Sequence, residues 1–173
     1  MTNWAENDEL FFSQLKEGFE WQKLPKLFFE LHGLQVEMPA LTIRDSIKDA
    51  GAYISSKDLI VNGHTIETKS RNEAFTYPLS FPYRTLFVDT VSGFDGKKKK
   101  PLAYVFISRP TGCMICLMTS TFPSWTIEER FDRVRHITDK FYLADRRVCS
   151  ELDELVAALK SVQVDGSAVT FAP

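Results

Sequence analysis

The sequence predicts an α/β domain: a central mixed sheet of four or five strands flanked by helices. Three observations predict it. Phe, Leu and Trp recur at helical spacings over residues 10–31. An Asn62-Gly63 pair, the strongest short-range hairpin signal, lies inside a β-branched run. Three later stretches, 84–90, 102–108 and 113–119, are dense in β-branched and aromatic residues and read as strands.

Taken in order, Phe11, Leu15 and Phe19 form one helical stripe, and Leu24, Leu27, Phe28 and Leu31 a second. Pro25 is expected to divide them into two helices, standing in the first turn of the second, with Gly33 as the stop. Residues 40–43 read as a short strand and 45–50 as a turn of helix. The hairpin around Asn62-Gly63 follows, then the three strands. Residues 93–101 read as a turn carrying a lysine run, and the tight Pro110–Gly112 connection makes the last two strands antiparallel neighbours. Two helices are expected to close the chain, over 127–140 and 151–162. Their start signals are Thr126 with Glu129, and Ser150 with Asp153. Everything belongs to a single domain over 1–173, with 1–8 and 165–173 as loose ends.

At 173 residues the chain is long enough to bury one real core. Its 44% apolar and 25% charged residues are ordinary for a globular protein. A net charge of -2 argues against a protein wrapped wholesale around nucleic acid. It leaves room for a local basic patch, and Lys97–Lys100, Arg130, Arg133, Arg135, Arg146 and Arg147 are indeed clumped. Three cysteines are too few for a disulfide scaffold. No secretory signal is visible and no apolar run approaches the ~18 residues of a membrane span, so a cytoplasmic protein without a membrane partner is expected. Cys113 and Cys116 fall on opposite faces of a strand and lack a second ligand pair, so they read as structural. Without a G-x-S-x-G, Walker or G-x-G-x-x-G motif, serine hydrolase, NTPase and dinucleotide chemistry have no footing, and no nucleotide cofactor is expected.

The hairpin carries the chemistry. A type I′ turn at Asn62-Gly63 pairs Val61 with His64, Ile60 with Thr65, Leu59 with Ile66 and Asp58 with Glu67. Side chains alternate along a strand, so Leu59, Val61 and Ile66 share one face. Asp58, Glu67 and Lys69 share the other. Directly opposed residues have Cβ atoms about 4.5–5.5 Å apart, where two carboxylates repel. A divalent cation between them would offset that repulsion, and hard oxygen ligands suit Mg²⁺ or Mn²⁺. The Lys69 ammonium could then hold an attacking water or neutralise charge developing on phosphorus. The same residues also suit a solvated hairpin face on which Lys69 simply satisfies the two acids.

Asp58, an eight-residue gap and then Glu67-Thr68-Lys69 resembles the PD-(D/E)xK nuclease superfamily, the restriction-endonuclease-like phosphodiesterases. The expected order of helix, Asp strand, hairpin, E-x-K strand, further strand and helix is similar to that core, over about 19–135. The residue before Asp58 is Lys57 rather than the Pro of the family's name. The chain looks most like the small members, such as Holliday-junction resolvases and phage or mobile-element nucleases.

The resemblance implies metal ligation by Asp58, Glu67 and the Thr68 carbonyl, and Lys69 as the catalytic lysine. It implies Mg²⁺ or Mn²⁺ as cofactor and DNA as substrate. Many members add a glutamate from the first helix. Glu20 is the expected one, with Glu17 and Glu30 competing. Arg71 and the run Lys97, Lys98, Lys99 and Lys100 are the expected phosphate contacts. Asp89 is either a ligand to a second metal or a strand-end cap, and Arg130, Arg133 and His136 lie along one helical face. Nucleases that cut both strands are often dimers, so a homodimer stays open. The alternative is a catalytically inactive version of the same fold, serving as a binding or adaptor module.

Overall fold

A computed structural model describes residues 4–40, 58–132 and 137–165. The first element, α1, runs unbroken over Trp4–Leu31 with Pro25 inside it. The expected division at Pro25 does not occur. An interior proline costs a helix ~3 kcal/mol through its missing N–H and its ring. Here Trp21, Leu24, Phe28 and the fully buried Phe29 pack against the core from this segment, so burial outweighs that local preference. The helix ends as expected at Gly33. The Leu34 N–H reaches the Phe29 carbonyl at 3.0 Å and the Gly33 N–H the Glu30 carbonyl at 2.9 Å, a Schellman closure.

A short β1, Val36–Glu37, pairs antiparallel with β2, Leu59–Val61. Next, β2 turns through Asn62 and Gly63 into β3, His64–Arg71. Both turn residues have positive φ, 48° and 77°, as a type I′ bend requires. The observed register is the expected one: Leu59 opposite Ile66, Ile60 opposite Thr65, Val61 opposite His64. Asn62 also ties the bend to the first strand, accepting from the Gln35 N–H through its side chain at 2.9 Å.

Strand β4, Thr85–Thr90, and the one-turn helix α2, Val91–Gly96, form the connection that carries the chain to β5, Ala103–Ser108. That connection lets β5 lie parallel to β3, with Glu67 beside Tyr104 and Lys69 beside Phe106. Antiparallel β6, Met114–Met118, completes a mixed five-stranded sheet in the order β1-β2-β3-β5-β6. The mixed sheet matches the expectation. Residues 40–43 and 45–50 fall almost wholly outside the described residues, and so does the tail beyond 165.

The region expected as a helix over 127–140 is instead a pair of strands. Thr126–Asp132 is β7 and Ile137–Asp145 is β8. They pair antiparallel, and β8 also pairs with β4, giving a second sheet in the order β4-β8-β7. Consequently Arg130 does not lie on a helical face. It stands across from Asp139 in the ladder and pairs with Glu128 at 2.5 Å. Arg133 and His136 lie outside the described residues. The last helix, α3, spans Leu152–Asp165.

The large sheet is covered differently on its two faces. On one, Leu59, Val61, Ile66, Ala103, Val105 and Ile107 pack against Phe29 of α1 and Leu155 and Leu159 of α3. On the other, Tyr104, Phe106, Ile115 and Leu117 pack against Leu86, Val88, Tyr142 and Ala144 of the second sheet, with Phe94 of α2. The long helices α1 and α3 therefore cover one face, and the smaller sheet, with the short α2, takes the place expected of a helix on the other. Cys116 and Cys149 are buried and Cys113 half-buried, all three as free thiols. Among the described residues, no helix is long and apolar enough to cross a membrane.

Candidate active site

Alternation along β3 divides its side chains between the two layers. Ile66 enters the helix-covered core, while Glu67 and Lys69 project into the gap between the two sheets. Asp58 immediately precedes Leu59, and continuing the hairpin register sets it opposite Glu67. The electrostatics agree: burial and then the Glu67 carboxylate push the Asp58 pKa from 3.8 up to about 7. Three of the expected site residues, Asp58, Glu67 and Lys69, are thus brought together by one bend. The Lys69 ammonium lies 2.6 Å from Glu67 Oε1 and 5.7 Å from the centre of the Tyr104 ring.

Two further residues complete the cluster, and both arrive from the β3–β5 connection. Asp89 is the penultimate residue of β4, two beyond Phe87, whose side chain is solvent-exposed, and simple alternation would send both outward. A register shift between Phe87 and Asp89 in the β4–β8 ladder, a bulge, turns Asp89 inward instead. The Tyr104 hydroxyl donates to Asp89 Oδ2 at 3.2 Å and the Thr90 N–H to Oδ1 at 2.9 Å. Gly93 is needed here. A Cβ at that position would stand 2.6 Å from Thr90 Oγ1 and 3.2 Å from Asp89 Oδ1, displacing the hydroxyl that caps α2.

Lys97 follows α2 and folds back into the gap. Its ammonium lies 3.0 Å from Glu67 Oε2 and donates to Asp89 Oδ2. Burial disfavours its charge, but the Glu67 and Asp89 carboxylates together outweigh that and raise its pKa above the ordinary lysine value. Burial likewise opposes ionisation of Asp89. Lys69, Lys97 and the Thr90 N–H reverse the balance, so its pKa falls below the usual carboxylate value. Tyr104, buried beside Glu67 and Asp89, has its phenol pushed far above its ordinary value and stays protonated as a donor.

The remaining expected residues are placed as follows. Glu20 lies on α1, across the sheet from the cluster, and pairs with Lys23 at 2.5 Å; the structure does not bring it to Asp58. Its competitor Glu17 binds Arg109 at 2.8 Å, and Glu30 binds Lys26 at 2.6 Å. Arg71 donates to the Phe87 carbonyl, with its guanidinium 5.3 Å from the Phe106 ring centre. That ties it to β4 rather than leaving it free in solvent. Lys100 caps the end of α2, donating to the Phe94 carbonyl, to Asp95 O at 3.0 Å and to Lys97 O at 3.1 Å. Of the four lysines, Lys98 and Lys99 face solvent.

A hard cation fits the donor set in two respects. Glu67 Oε2 is buried and accepts no aligned hydrogen bond, its link to Lys97 being an ion pair. The Thr68 carbonyl is directed toward the β2 side. The Thr65 and Arg71 carbonyls both accept from the β5 side, from Leu102 N at 2.8 Å and Arg109 N at 2.9 Å, and carbonyls alternate along a strand. Among the described residues, no three acidic, histidine or cysteine side chains gather tightly enough to hold an ion by themselves. A cation here would rest on one or two carboxylates, a carbonyl and water, the usual manner of Mg²⁺. Tyr104 comes to Glu67 through the β3–β5 ladder, while Asp89 and Lys97 arrive with β4 and α2, and no local motif announces either arrangement. In comparisons with known proteins, the chain matches no family model, no curated protein and no solved structure.

Proposed function

We propose that this chain is a metal-dependent nuclease hydrolysing DNA phosphodiester bonds. The observation that carries this reading is the hairpin register, which sets Asp58, Glu67 and Lys69 together in a semi-buried, charged gap. Asp58, Glu67 and the Thr68 carbonyl would hold Mg²⁺ or Mn²⁺. When bound, that ion supplies Lewis-acid polarisation of the phosphoryl group and makes water a better nucleophile. Lys69, anchored on Glu67, positions the water and offsets the negative charge that grows on the phosphoryl oxygens. The water oxygen forms the new bond to phosphorus and releases a proton to bulk water, the ester P–O bond breaks, and the leaving oxygen takes up a proton from bulk water. The exposed Lys98 and Lys99 would meet the backbone of the duplex.

A second reading is favoured by one specific observation. Lys97 spans Glu67 and Asp89, so the cluster already holds an internal cation. This suits a non-catalytic binding module of similar architecture. The deciding experiment follows nicking of plasmid and branched DNA, with and without Mg²⁺, by the native chain and by Lys69→Ala. The nuclease reading expects metal-dependent nicking that falls by about a hundredfold or more in the variant. Equal rates for the two proteins would remove the catalytic assignment. In parallel, Mn²⁺ should raise the melting temperature of the native chain and not of Asp58→Asn, whereas a binding module shows no such Asp58-dependent rise.

A further inference from the structure

Both oxygens of Glu67 are engaged by lysines, Oε1 by Lys69 at 2.6 Å and Oε2 by Lys97 at 3.0 Å. An ion that approaches Glu67 therefore meets the positive charge of one ammonium or the other and competes with it for the carboxylate. Lys97 is the better placed to yield, since its ammonium already donates to Asp89 Oδ2, whereas Lys69 stands 3.9 Å from Asp89 Oδ1 and only 2.6 Å from Glu67. Asp89 offers its ammonium a second seat, and that carboxylate is itself held by Tyr104 and the Thr90 N–H. Yielding Glu67 does not strand the lysine in a buried place without a partner.

The charges point the same way. Asp58, Glu67 and Asp89 set three carboxylates against the two ammoniums of Lys69 and Lys97, with the neighbouring Arg71 balanced chiefly by Glu73. With the acids ionised, one negative charge is left over. A divalent ion overshoots this by one positive charge, which a single phosphodiester anion then balances. Without Lys97, the metal-loaded cluster would be neutral and would offer a phosphodiester no net attraction.

We propose that Lys97 is the resident counter-ion of the site: it competes with the divalent cation for Glu67, and once displaced onto Asp89 it gives the loaded site its positive charge toward the scissile phosphodiester. This rests on the nuclease reading and deepens it. Lys97 is then a binding residue with two opposed effects, weakening metal affinity and strengthening nucleic-acid affinity.

That opposition is the test. Mn²⁺ affinity is measured by electron paramagnetic resonance on the full chain, and binding of a short fluorescein-labelled duplex by anisotropy in saturating Ca²⁺. Lys97→Met should bind Mn²⁺ about tenfold tighter or more and the duplex about tenfold more weakly, while Lys98→Met leaves Mn²⁺ affinity within about twofold. A lysine that only holds the sheets together would weaken both when removed, and that result overturns the proposal, as does unchanged Mn²⁺ affinity in Lys97→Met. Should Lys97→Met fail to fold, Lys97→Gln keeps a polar group within reach of Glu67 and Asp89 and must show the same opposed pair of shifts. A native chain that binds no Mn²⁺ removes the nuclease reading together with this inference. A native chain that binds Mn²⁺ and nicks DNA, with Lys97→Met unaltered in metal affinity, overturns this inference alone.

Discussion

Asp58 is the residue whose protonation the fold changes most usefully. Burial and Glu67 lift its pKa from 3.8 to about 7, so between those values the folded chain holds a proton that the unfolded chain has released. Its contribution to stability is therefore full below about pH 4 and is lost as pH rises toward 7, by on the order of 1.4 kcal/mol per unit. Asp89 slopes the other way, since a depressed pKa contributes stability that is lost on acidification. The two are separated by comparing native and Asp58→Asn chains in metal-free urea melts across this range. The native chain should lose stability relative to the variant as pH rises, and parallel profiles would show that Asp58 is not held as described. Asp58, Glu67 and Lys69 were legible in the sequence because a two-residue bend places them by local geometry alone. Lys97 was legible only as part of a basic run, since its role depends on a carboxylate delivered by a different sheet.

At the level of elements, two glycines carry stated costs. Gly63 holds φ 77° in the hairpin bend, where an L side chain is strained. Gly63→Ala should lower stability by about 1–2 kcal/mol, read from denaturant melts. Because the bend sets the register, it should also weaken Asp58-dependent Mn²⁺ binding. Gly93→Ala would drive a methyl into the Thr90 hydroxyl and loosen both the α2 cap and Asp89, at a cost of about 1 kcal/mol. The hairpin and the three later strands were readable from β-branched content and turn chemistry. The β7–β8 pair was not. Ile127 and Phe131 are four apart, a spacing that suits a helix face as well as one face of a strand. What decides for a strand is distant: β8 buries Tyr142 and Ala144 toward the large sheet and is clamped between β4 and β7. Pro25 misled for a related reason, its local penalty being outweighed by the packing of Trp21, Leu24 and Phe29.

For the molecule as a whole, the consequence is a polar gap between two sheets whose walls are otherwise aromatic and aliphatic. Phe106 is fully buried beside Lys69 in the ladder, with the Arg71 guanidinium over its ring, so Phe106→Ala should cost about 3–5 kcal/mol in a thermal or urea melt. The overall charge of -2 means that any attraction for a polyanion must come from a local patch. On the nuclease reading, the exposed Lys98 and Lys99 supply part of it. The double variant Lys98→Ala/Lys99→Ala should flatten the salt dependence of duplex binding by about two units of logarithmic slope while leaving Mn²⁺ affinity in place. An unchanged slope would place the duplex elsewhere on the surface.

The side-by-side, same-direction arrangement of β3 and β5 also has a temporal meaning. Two such strands cannot zip together directly; the whole intervening stretch must be in place before they meet. A nascent chain emerging from the ribosome thus carries Asp58, Glu67 and Lys69 for some time before Tyr104 arrives to orient Asp89. On the nuclease reading, the chain is silent during that interval. A fragment ending at residue 100 should bind no Mn²⁺ in an Asp58-dependent manner, and a fragment that does would show that the hairpin alone makes the site.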